Sequence, residues 1–258
     1  MQIFKELYLY REMIASLIRK DLRGRYKGSV LGFLWTFINP LLQLGVYTLV
    51  FSVILRAGIE KYHLFLFVAL IPWMFFSTCL SAGCSAIIND KNLVTKVYFP
   101  REVLPVAFVT GNFINMLYSF IVVLAVSALF GDHVDLVAWL YLPIVMAIEY
   151  VLALGCTLIA SAVTVFFRDL QYILGILTMA WQFLTPVMYS VDMVPDELMT
   201  LFLLNPMTSI VIAYRDILYH GQIPAMQTLT VPLVIALVVL VVGELVFRRL
   251  QRYFAEEL

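Results

Sequence analysis

Hydrophobic and polar positions change their rhythm once along this chain. Between residues 4 and 26, Leu7, Tyr10, Ile14, Leu17, Ile18 and Leu22 recur at three and four spacing, with Arg11, Arg19 and Arg23 largely off that face. This is the pattern of an amphipathic helix. Beyond it the alternation gives way to continuous apolar runs at 28–55, 64–88, 104–130, 136–167, 172–189 and 230–247. The first run holds 28 residues and no charge. At about 1.5 Å per residue it exceeds the ~30 Å hydrocarbon core of a bilayer. The pattern predicts an all-α integral membrane protein of six transmembrane helices, with the amphipathic helix lying on the membrane surface. Gly24 and the Gly28-Ser29 pair are expected to interrupt that helix, and Ser29 to cap the first span. Asn39-Pro40 and Pro72 predict kinks within the first two spans.

Two of the intervening segments carry more than connectors need. The loop 89–103 mixes charges with Tyr98, Phe99 and Arg101. One helical turn with projecting aromatics is the shape of a docking element for a soluble partner, because aromatic and Arg side chains dominate interface energetics. An interfacial loop with its rings at headgroup level reads the same way. Segment 191–229 contains two apolar stretches, 198–204 and 207–218, separated by Asn205-Pro206 and too short to span. They predict a re-entrant helical hairpin folded into the outer leaflet, suited to a lid or to plain packing. The whole of 1–258 reads as a single membrane domain, with 1–29 its cytoplasmic amphipathic helix.

Composition agrees with a membrane setting and charge orients it. Hydrophobic residues make up 63% and charged residues 13%, against ~45–50% and ~25% in soluble domains. Net charge is zero, which gives no electrostatic support to a nucleic-acid partner. Five cations crowd Arg19, Lys20, Arg23, Arg25 and Lys27, directly before the first span, where anionic cytoplasmic lipid would hold them. Six crossings with both termini inside place 14 of the 17 Lys and Arg in the cytoplasm, leaving Arg56, Lys61 and Arg215 outside. The protein is therefore expected in the cytoplasmic membrane with both termini cytoplasmic. No cleavable leader is expected, because the first apolar run is too long for a signal h-region.

Candidate chemistry is sparse. Cys79, Cys84 and Cys156 fall within spans and read as packing residues. His63, His133 and His220 lack ligand spacing, so no metal site is expected. Phosphate-loop, G-x-S-x-G and H-E-x-x-H signatures are missing from the sequence. If ATP is used, another chain must bind it. Glu149 stands about halfway through the fourth span and must face the bundle interior, be protonated or find a partner. Glu244 precedes Arg248 by four residues and can pair with it. Among the aromatics, Tyr47, Phe51, Trp73, Phe76, Tyr118, Trp181 and Tyr189 are candidates to line a path for carbohydrate, since sugar rings stack their C–H faces on aromatic rings. Belt and packing roles account for most aromatics in such chains.

Four stretches resemble the permease subunit of polysaccharide-exporting ABC transporters, the type-2 ABC membrane family that includes O-antigen, teichoic acid and capsule exporters. They are 23–40 (RGRYKGSVLGFLWTFINP), 97–105 (VYFPREVLP), 166–170 (FFRDL) and 204–218 (LNPMTSIVIAYRDIL), and the ending FRRLQRYFAEEL is similar too. The resemblance implies a homodimer with two ATP-binding cassette subunits beneath it, which bind the ATP and Mg. It would move an undecaprenyl-type lipid-linked polysaccharide outward. It also implies roles: Arg19, Arg23, Arg25 and Lys27 at the port for a pyrophosphate headgroup; Asn92, Lys96, Tyr98, Phe99 and Arg101 in a coupling loop, with Arg168-Asp169 as a second ATPase-facing contact; and Asn205, Pro206, Tyr214 and Arg215 in an outer gate. Two other classes stay open: an integral-membrane enzyme acting on polyprenyl-linked sugars, and a proton-coupled carrier using Glu149.

Overall fold

The computed structural model describes residues 8–26, 28–54, 56, 58–130 and 135–258. These residues form helices and no strand. Helix α1 (Arg11–Tyr26) passes through Gly24 without a break, contrary to the expected interruption. It stops before Gly28, whose φ of +84° suits a residue without a Cβ. Ser29 does not cap the first span. Its hydroxyl accepts from Trp35 Nε1 at 3.0 Å, and the span begins with an uncapped 3-10 turn, Gly32–Leu34. Tyr10, Met13, Ile14 and Leu17 pack half-buried on the base of the bundle, so the apolar face expected on lipid is spent largely on protein.

The first span is α2 (Trp35–Thr48), extended by a π-helical stretch, Leu49–Ile54. Then come α3 (Tyr62–Ser81), the short α4 (Ala86–Asn89) and α5 (Lys91–Lys96), and the long α6 (Val103–Phe130). After α7 (Leu136–Trp139), capped by Asp135, follow α8 (Leu142–Phe166) and α9 (Leu170–Phe183). The chain continues as α10 (Asp196–Leu204), α11 (Pro206–Leu218) and α12 (Met226–Leu250), and ends in the turn α13 (Phe254–Glu257). Pro40, Pro72 and Pro232 all sit inside helices.

Helix α3 is the hub. In its most apolar stretch 78% of residues are buried, against 6% in the first span and 22% in α12. Helices α8 and α12 make the closest crossing. A Cβ on Gly243 would lie 2.6 Å from the Gly155 carbonyl oxygen, and one on Gly155 would lie 2.7 Å from the Leu240 nitrogen. Only glycine lets the two backbones meet this closely. A second apolar cluster, including Ile87, Val94, Phe99, Leu158, Phe247 and Phe254, closes the base.

Among the described residues, five helical stretches are long and apolar enough to cross a membrane, and the α10–α11 pair qualifies only as a unit bent by 95°. The expected fifth span, 172–189, is a helix only to Phe183. Its 14 residues rise about 21 Å. At one end of it Ser85 Oγ donates to Gln171 Oε1 at 3.2 Å, beside the base. Beyond its other end, Tyr62 Oη donates to the Met188 carbonyl at 2.8 Å, at the opposite end of α3. The chain between Gln171 and Met188 therefore travels from one end of the bundle to the other, finishing in irregular backbone. The following hairpin is asymmetric: α11 buries ten of its 13 residues and α10 none. Helix α11 is a core helix rather than a leaflet-resting one.

Candidate functional site

The irregular segment after α9 is buried from Thr185 to Met188, where unpaired carbonyls are costly. Side chains satisfy them one after another. Tyr189 Oη donates to the Phe183 carbonyl at 2.7 Å, and Asn205 Nδ2 to the Leu184 carbonyl at 3.2 Å. Arg215 Nη2 donates to the Val187 carbonyl at 2.8 Å and Nη1 to that of Tyr189 at 3.3 Å. The guanidinium is 4% exposed and lies over the Phe65 ring, 3.6 Å from its centroid. Arg215 thus fastens the hairpin to α3 and to the end of the fifth crossing.

Asn205 is the elbow of the hairpin. Its Oδ1 accepts from Met207 N at 3.1 Å and from Trp181 Nε1 at 3.0 Å, and Nδ2 also reaches Thr185 Oγ1 at 2.9 Å. Pro206 follows as the first helical residue of α11, where its missing N–H costs nothing. Tyr214 Oη donates to Glu149 Oε2 at 2.7 Å, and both residues are wholly buried. Glu149 Oε1 finds no hydrogen-bond partner among the described residues. The intramembrane acid accordingly faces the interior and joins α8 to α11.

At the base, the loop before α6 is built around α5. Tyr98 is 96% exposed, whereas Phe99 is 6% exposed and belongs to the basal cluster. The expectation that both rings project is corrected for Phe99: in so short an element it is needed to fill the base. Asn92, Lys96, Arg168 and Asp169 are exposed. Arg101 Nη1 donates to the Gln251 carbonyl at 3.2 Å, and Gln251 Nε2 donates to Glu102 Oε1 at 2.9 Å. The C-terminal turn therefore clasps the loop, with Phe254 wholly buried beneath it. Lys20 Nζ, 2.7 Å from Asp90 Oδ1, ties α1 to the residue before α5. Sequence reading found neither clasp.

Of the cations at the proposed port, Arg19 and Arg23 are exposed; Lys27 and the side chain of Arg25 lie outside the described residues. The candidate channel aromatics divide. Trp73 and Phe76 are not on a wall but in the core, where Phe76 meets Trp181 edge-on at 5.3 Å. Phe51 stacks near Tyr62, and Tyr47, Trp181 and Tyr189 are half-buried against the core. Tyr118 is 38% exposed and packs edge-on with Phe33. Glu244 pairs with Arg248 as the spacing implied. Among the described residues no three His, Cys, Asp or Glu gather as a metal site would require.

The sequence has close counterparts. The family model described as ABC-2 type transporter matches residues 12–219. The chain is 38% identical to the O-antigen export system permease protein RfbA of Myxococcus xanthus, over 100% of this chain and 99% of that protein. It is 29% identical to a Klebsiella pneumoniae protein of the same description, over 96% and 95% of the two chains. It is 23% identical to the polysialic acid transport protein KpsM of Escherichia coli, over 91% and 92%. A family match over most of the sequence, together with end-to-end similarity to a permease, makes this chain a member of the ABC-2 type transporter family.

Proposed function

We propose that this chain is the membrane subunit of an ATP-driven exporter that carries a lipid-linked polysaccharide from the cytoplasm to the outer face of the bacterial inner membrane. The observation that carries the reading is the end-to-end similarity to an O-antigen export permease. It fits a multi-pass chain whose sequence lacks a phosphate loop of its own, so nucleotide binding belongs to a separate ATPase subunit. The base is the cytoplasmic end in this reading. Tyr98, standing clear of a loop held by Lys20–Asp90 and by the C-terminal turn, is the anchor for that subunit, with Arg168 and Asp169 as a second contact. Two copies of the chain and two ATPase subunits make the working unit. The thinly covered α2 and the exposed apolar side of α9 supply the faces for the second copy. Arg19, Arg23, Arg25 and Lys27 receive the pyrophosphate headgroup.

The test is reconstitution. The chain, copurified with its ATPase subunit and placed in vesicles, should hydrolyse ATP faster when lipid-linked polysaccharide is supplied. Polymer should also become protected inside inside-out vesicles only with hydrolysable nucleotide. Transport that ignores ATP and collapses with the proton gradient would establish a carrier instead. Chemical alteration of the lipid-linked sugar by the chain alone would establish an enzyme.

A further inference from the structure

Between α2, α3 and α6 lies a half-open cleft of about 360 Å³, at the lower end of the ~300–1,000 Å³ typical of small-molecule sites. Its lining is polar yet without charge: Asn39, Asn112 and Asn115 contribute amides, and Thr36, Thr78 and Ser119 contribute hydroxyls. Asn39 is seven residues beyond Gly32 and Asn112 nine beyond Val103, or about 10 Å and 14 Å along their helices. Both stand on helices long and apolar enough to span a membrane, where polar groups are rare and mark pathways or partners. Asn39 is exposed on the same helix face as Gln43, whose Nε2 reaches Asn39 Oδ1 at a long 3.5 Å.

The cleft is braced. Thr36 Oγ1 donates to Asn115 Oδ1 at 3.2 Å, Ser119 Oγ donates to the Thr36 carbonyl at 3.1 Å, and Asn112 Nδ2 donates to the Phe108 carbonyl at 2.9 Å. These bonds hold Asn112 and Asn115 in place, and Asn39 and Asn112 keep further hydrogen-bonding capacity, because an amide carries two N–H groups and a carbonyl with two lone pairs. Trp35 stands 39% exposed at one side and Phe75 lies in the wall. Amides that both donate and accept match adjacent hydroxyls, and ring faces match the C–H face of a pyranose. An acyl chain would gain nothing from the amides. A phosphate would find no cation among the lining residues.

The position also fits. Helix α1 seats against α6 at Gly111, where a Cβ would stand 3.4 Å from Asp21 Oδ2 and 4.0 Å from Ile18 Cγ2. The basic helix therefore meets α6 immediately beside Asn112. Building on the export reading above, we infer that this cleft holds an uncharged sugar ring of the substrate, the unit next to the pyrophosphate, while the phosphates stay on α1.

The test uses the whole complex in nanodiscs and two probes, citronellyl pyrophosphate and the same lipid pyrophosphate bearing one hexose, with affinities from calorimetry. The wild type should bind the hexose probe more tightly. Asn39→Leu changes an exposed position and should spare the fold, while Asn112→Leu changes the wall. Each should weaken the hexose probe about 5- to 10-fold, the size of a lost neutral hydrogen bond, and leave the bare probe within about twofold. Asn39→Gln should recover part of the loss. Equal affinity of the wild type for both probes overturns the cleft assignment alone. So do variants that weaken both probes alike or neither. A wild type that binds neither probe overturns the export reading and the cleft together.

Discussion

Replacing Arg215 with methionine tests whether the far end of the bundle is held by one guanidinium. Two of its bonds count: those to the carbonyls of Val187 at 2.8 Å and Tyr189 at 3.3 Å. The contact from Nε to the Phe65 carbonyl, at 3.5 Å, is at the limit of a hydrogen bond and contributes little. A bond from a charged donor is worth about 1.5–3 kcal/mol, so the two together supply about 3–6 kcal/mol. The stacked Phe65 ring adds up to about 2 kcal/mol in a desolvated setting. Against this, methionine avoids the several kcal/mol of desolvating a buried cation. A net loss of about 2–4 kcal/mol is expected. Arg215→Lys should lose less, since an ammonium keeps the charge but lacks the planar fork that serves two carbonyls together. Equilibrium unfolding in mixed detergent and SDS micelles, followed by circular dichroism, reads the stability. Limited proteolysis across 184–195 reads the local effect. If Arg215→Met unfolds at the same SDS fraction and is cut no faster, the carbonyls have other donors and the guanidinium is no strut.

Gly243→Ala should cost about 1–3 kcal/mol, because the added methyl would meet the Gly155 backbone rather than a yielding side chain; an unchanged SDS midpoint would show that α8 and α12 can part at no cost. Phe99→Ala should remove about 3–5 kcal/mol from the basal cluster and lower the amount of folded protein. Tyr98→Ala, by contrast, should leave stability within about 0.5 kcal/mol while uncoupling ATP hydrolysis from export. Normal coupling in Tyr98→Ala would remove the loop from the ATPase contact. Neutralising Arg19, Arg23, Arg25 and Lys27 together should depress substrate-stimulated hydrolysis more than basal hydrolysis, and an equal fall in both would point to misfolding.

What could be read from the sequence depended on whether a feature was local. Uncharged runs announce spans because hydrocarbon tolerates no alternative, and Asn205-Pro206 announces an elbow because cap and proline are adjacent. The fifth span was overdrawn to Tyr189 because Thr185 and Pro186 pass as apolar on average, although proline cannot donate the bond that a helix needs there. Phe99 reads as exposed in the sequence because it lies in the irregular stretch between α5 and α6, where no helical period marks a buried face. The partners of Arg215 are backbone carbonyls, which have no signature in a sequence. Lys20–Asp90, Gln251–Glu102 and Gly155–Gly243 join positions far apart in the chain, and nothing local marks either member of a pair.

The distribution of packing separates a fixed part from a movable one. Helices α3, α8, α11 and α12 are locked by a backbone-to-backbone glycine crossing, by the Glu149–Tyr214 bond and by Arg215. Every one of these ties would have to break for them to shift. Helix α2 is held differently: its span is 6% buried within one copy, and Thr36 to Asn115 and Ser119 to the Thr36 carbonyl join it to α6. Low burial means low local stability in one copy, until the second copy covers that face. Movement that opens a path is therefore cheapest at α2, the helix that also carries Asn39 into the polar cleft. In that geometry a sugar bound against Asn39, Asn112 and Asn115 would bridge α2 and α6, so that substrate itself would add to the Thr36–Asn115 tie between them.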